Sequence, residues 1–78
     1  MEWKTYLVMY FGTDNDIPLI EIVKKVKALG FVLTVGPVDF VYDWKNKEPT
    51  PEEILALGDK LKRTLKGTGT IFNLDTHD

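Results

Sequence analysis

The sequence predicts an α+β fold, a four-stranded antiparallel sheet with two helices on one face, in one domain spanning residues 1–78. Two observations carry this expectation. Four short runs rich in β-branched and aromatic residues are interleaved with two stretches whose apolar residues recur at helical spacing. The stretch TPEE at 50–53 also has the chemistry of a helix start, with Thr50 as cap, Pro51 at the first helical position and Glu53 where a capping box needs its acid.

The first run, WKTYLVMYF (3–11), reads as a strand ended by the breaker cluster GTDND. In IPLIEIVKKVKALG the residues Leu19, Ile22, Val23, Val26 and Leu29 share a helical stripe. Asp16 is the expected N-cap and Pro18 is tolerated in the first turn. Lys24, Lys25 and Lys27 suit the negative end of the helix dipole, and Gly30 suits the C-terminal cap. Two strands follow, FVLTV (31–35) and VDFVYDW (38–44), joined at Gly36-Pro37 by a connection short enough to require antiparallel pairing.

The second helix carries Ile54, Leu57, Leu61 and Leu65 on one stripe and stops at Lys66-Gly67. Gly58 inside it costs roughly 1 kcal/mol against alanine, which points to close packing against the sheet or a partner. TIFNL (70–74) is the last strand, and His77 is expected in a frayed tail. Strand, helix, strand, strand, helix, strand is the ferredoxin-like βαββαβ order, with the first and third strands central and one sheet face uncovered.

Successive residues leave a strand on opposite faces. Val38, Phe40, Tyr42 and Trp44 therefore point to the helices, as do Thr5, Leu7, Met9 and Phe11, then Phe31, Leu33 and Val35, and finally Thr70, Phe72 and Leu74. The uncovered face receives Lys4, Tyr6, Val8, Tyr10, Val32, Thr34, Asp39, Val41, Asp43, Ile71, Asn73 and Asp75. Such a face is too apolar to stand idle in a small protein, and it marks an interface or a ligand surface. A chain of 78 residues hides only about 60% of its unfolded surface, so self-association is expected on grounds of stability as well. The expected contact residues are Tyr6, Val8, Tyr10, Asp39, Val41, Asp43 and Asn73, with Lys4 as counter-charge to the two aspartates.

Composition excludes several chemistries. Nine lysines, one arginine and twelve acids are interspersed, with a formal charge of -2, so no basic footprint for nucleic acid exists. Asp39 and Asp43 occupy the third-strand positions where a sheet-face RNA binder would stack bases, and they repel phosphate. Cysteine is absent, which removes disulfides, thiolate metal sites and a thiol nucleophile. Serine is absent too, leaving Thr or Lys without a placed base.

Asp14 and Asp16 at the first helix start would oppose a bound anion. They read as a polar turn rather than as a cation site. Asp39 and Asp43, four residues apart on one strand, lie roughly 13 Å apart and cannot form a carboxylate dyad. No cofactor, metal or catalytic residue is expected. Absence of Cys and Gln beside lysine-rich charge matches a thermophile's bias. With neither a signal-like opening nor a long apolar run, a cytoplasmic protein without membrane or nucleic-acid partners is expected.

The stretch from Val35 to Thr76 resembles the later half of small α+β domains that dimerise through their sheets, such as the effector domains of leucine-responsive regulators, and shares features with the amino-acid-sensing ACT domains. Gly36, Asp39 and the Gly67/Gly69 turn carry the likeness; Pro37 and Val38 depart from it, Val38 standing where that family favours tyrosine. The resemblance implies sheet-mediated oligomerisation and a small ligand at an interface. Two functions are therefore open: a binding or regulatory module that self-associates through its open face, or a small enzyme using Tyr6, Tyr10, Asp39 and Asp43 there or at a subunit interface.

Overall fold

A computed structural model describes residues 2–11, 18–34 and 39–78. Its elements run β1 (Lys4–Tyr10), α1 (Leu19–Ala28), β2 (Val32–Leu33), β3 (Asp39–Asp43), α2 (Pro51–Thr64) and β4 (Ile71–His77). The four strands form one sheet in the order β2-β3-β1-β4, and every neighbouring pair is antiparallel.

Alternation decides the layers. Leu7 and Met9 of β1 and Phe40 of β3 are buried, and they join Ile22 and Val26 of α1 with Leu57 and Leu61 of α2 in one core. Both helices therefore cover the same face of the sheet. Val23, Leu29, Tyr42, Trp44, Phe72 and Leu74 pack around this core half-buried.

The second helix begins as its sequence requires. The Thr50 hydroxyl accepts from the Glu53 N–H at 3.1 Å, and the Glu53 carboxylate accepts from the Thr50 N–H at 3.0 Å. Lys47 donates to the same carboxylate at 2.8 Å, and the pKa of the Glu53 carboxyl is held below its ordinary value by that lysine first and the Thr50 N–H second. Leu57, Leu61 and Leu65 are buried as expected, while Ile54 is half-buried.

Several expectations change. The N-cap of α1 is Pro18, whose side chain offers no hydrogen bond, and the expected cap Asp16 lies outside the described residues. So do Asp14, the Gly36-Pro37 connection, Val35 and Val38. Leu19, the first residue of α1, is 50% exposed rather than core. Leu33 is 40% exposed because β2 is an edge strand of two residues that barely enters the helical layer.

At the end of α1, Gly30 has φ +107°, and a Cβ there would stand 3.0 Å from the Tyr42 ring, so both the backbone and the space favour glycine. Gly58 is different: a Cβ would meet Leu74 at 3.7 Å, an ordinary contact, so the neighbouring sheet does not require glycine. The largest revision concerns the last strand. β4 runs through His77, pairing residue for residue with the whole of β1, so the expected frayed tail is strand.

Candidate functional site: the open face of the sheet

Register assembles the uncovered face in rows. Val32, Val41, Tyr6 and Asp75 lie side by side across β2, β3, β1 and β4. The next row toward one end is Asp43, Lys4 and His77; toward the other it is Asp39, Val8 and Asn73, with Tyr10 opposite Ile71 beyond. Apart from Thr34, which lies beyond the end of β2, each position expected on this face from alternation is there, and His77 joins them.

Exposure gives the face its character. Tyr10 is 56%, Val32 61% and Ile71 70% exposed, and Tyr6 is 38% exposed. The two helices lie behind the sheet, so nothing among the described residues of this chain covers these side chains. Tyr6, Val8, Tyr10 and Asn73, four of the expected contact residues, line one shallow depression of about 420 Å³ together with Leu74 and Asp75. Val41 and Asp43 line a second of about 440 Å³ with Lys4, Val32 and Tyr42. Asp39 is not drawn to either group; its backbone carbonyl accepts from the N–H and the hydroxyl of Thr34 at 2.9 and 3.1 Å, which fastens the β2 edge.

The expected role of Lys4 is only half met. It stands directly opposite Asp43 in register, yet the lysine and arginine ion pairs among the described residues are Lys47–Glu53 and Arg63–Asp59. Asp43 instead accepts from the Lys45 N–H at 2.8 Å, an Asx turn that supports the left-handed pair Lys45 and Asn46. Asp39 and Asp43 do not converge on a common point, in keeping with their separation along one strand.

Sequence reasoning missed the His77 corner. Its imidazole stacks on the Tyr6 ring with centroids 4.7 Å apart and planes 15° from parallel, and its Nε2 is 3.7 Å from the Asp75 carboxylate. The signal was present: Ile71, Asn73, Asp75 and His77 alternate with Phe72, Leu74 and Thr76 over a length equal to β1. On the helix side, Thr5 is fully buried, shares a hydrogen bond of 2.7 Å with the Thr76 hydroxyl and accepts from the Trp44 indole N–H at 2.8 Å. That contact gives the indole, which can only donate, its acceptor.

Chemically the face offers two phenol rings, an imidazole, an amide and carboxylates around a valine centre. Among the described residues no three His, Asp or Glu side chains gather to hold a metal ion, and no helix is long and apolar enough to cross a membrane. Comparison with protein-family models, with curated proteins and with solved structures finds no match to this chain.

Proposed function

We propose that this chain is a ferredoxin-like binding or regulatory module that self-associates through the open face of its sheet. Element order and strand order support the fold reading: β1 lies between β3 and β4, and β2 with β3 forms the hairpin edge, which is the split βαβ pattern read from the β2 side. The observation that carries the function is the exposed row Val32, Val41 and Tyr6 with Tyr10 and Ile71 beside it, apolar area on the face opposite both helices.

A second copy suits this face better than a nucleic acid or a charged surface does. It carries acids of its own, Asp39, Asp43 and Asp75, and a base among them, Lys4, so two copies related by a two-fold axis can set the base of each against an acid of the other. The depression between Tyr6, Tyr10 and Asn73 would then lie at the subunit boundary, where a small ligand is enclosed from both sides.

Sedimentation or light scattering of the purified protein tests the proposal. The expected result is a mass above that of one chain, lowered by Val41→Lys with the circular dichroism unchanged. A mass of one chain at high concentration, indifferent to Val41→Lys, overturns it.

A further inference from the structure

The two edges of the sheet differ in a way the open face does not explain. At one edge β2 pairs over two residues; at the other β4 runs for seven. A sheet edge presents unpaired N–H and C=O groups, and proteins blunt it with short strands, prolines, lysines or bulges. β2 is blunted by its length. β4, IFNLDTH, contains neither proline nor lysine, and its one-to-one register with β1 leaves no bulge.

The β4 sequence is complementary to itself in one register. Antiparallel pairing about a two-fold axis through Leu74 sets Asn73 opposite Asp75, Phe72 opposite Thr76 and Ile71 opposite His77 of the second copy. Each carboxylate then faces a neutral amide that can donate to it, and this happens twice. Moving the axis to Asp75 would oppose the two carboxylates, which is destabilising; moving it to Asn73 would set Ile71 against Asp75.

Helix α2 points to the same axis. Gly58 lies against Leu74, and Leu55, one turn earlier on that flank, is 73% exposed. A glycine over the axis lets two α2 helices approach, and the approach covers Leu55.

We propose that two copies join through their β4 edges, antiparallel and centred on Leu74, into a continuous eight-stranded sheet. This contact is separate from the open-face contact, and the two together build a tetramer from two such dimers.

The test uses the full chain carrying Val41→Lys, in which the face contact is removed, and reads the dimer dissociation constant by analytical ultracentrifugation. The background protein is expected to be a dimer. Asn73→Asp opposes like charges twice and weakens it by about tenfold. Adding Asp75→Asn to that variant restores the amide–carboxylate pairing, and with it the parent affinity. Monomer in every variant, or a double variant no tighter than the single one, overturns the proposal.

In wild-type protein, exchange of the outward β4 amides should slow with rising concentration, which gives a readout that does not depend on Val41→Lys folding. Exchange indifferent to concentration counts against the edge contact. If instead Val41→Lys leaves the mass unchanged while the Asn73 and Asp75 series moves it, the edge stands and the face reading falls.

Discussion

Replacing Gly58 by alanine should stabilise the fold. Gly58 sits in the interior of α2, seven residues from its start at Pro51, with a backbone that does not need glycine's freedom. In such a position alanine is favoured by about 1 kcal/mol, because glycine loses more chain entropy on entering a helix. The new methyl meets Leu74 at 3.7 Å, inside ordinary contact distance, so it adds packing and displaces nothing.

The sum is a gain of about 1 kcal/mol, or roughly 4–8 °C in Tm for a domain of this size. Urea unfolding at a concentration low enough for single chains should show a raised midpoint with an unchanged slope. A lowered midpoint would refute the reasoning. At high concentration the same methyl enters the proposed approach of two α2 helices, so dimer affinity should fall while the single chain grows more stable.

Four further outcomes follow from other parts of the molecule. Thr50→Ala removes the acceptor for the Glu53 N–H and should cost about 1 kcal/mol in chemical unfolding. The folded-state acidity of Glu53 is raised, so its contribution is present above its ordinary value of 4.5 and is lost as pH falls through the lower folded value; the midpoint difference between wild type and Glu53→Gln should shrink on that acid side and hold at neutral pH. Thr5→Val leaves the Trp44 indole N–H without its acceptor and should cost about 1–3 kcal/mol, with Thr5→Ser recovering most of it in the same urea assay. Gly30→Ala, strained by φ +107° and by the Tyr42 ring 3.0 Å away, should lower the thermal midpoint by more than Ala28→Gly does at the last turn of the same helix.

Local chemistry made some of this legible from residues alone. Thr50, Pro51 and Glu53 specify a helix start through bonds confined to four residues, and the structure forms each of them. Strand alternation likewise placed Tyr6, Val8, Val41 and Asn73 on one face, because a period of two leaves no other arrangement once Leu7 and Phe40 are core. Most of what was not legible depended on partners distant in sequence, and the rest on competition between a local and a distant partner. His77 looked like a tail because nothing nearby holds it; its order comes from Lys4 across the sheet and from the Tyr6 ring. Leu33 was expected inside because its spacing is right, and it is exposed because β2 is an edge too short to be covered. Lys4 was expected to pair with an aspartate, and Asp43 turned to the Lys45 N–H, a competitor two residues away.

The Trp44–Thr5–Thr76 contact joins the end of β3 to β1 and β1 to β4 through side chains. One of the chain's two tryptophans is thus wired to the attachment of the terminal strand. When β4 peels from β1, Thr76 withdraws and the hydroxyl that holds the indole is freed to face water, changing the polarity around the ring. Intrinsic emission can therefore follow detachment of the last strand in an unlabelled protein, separately from global unfolding.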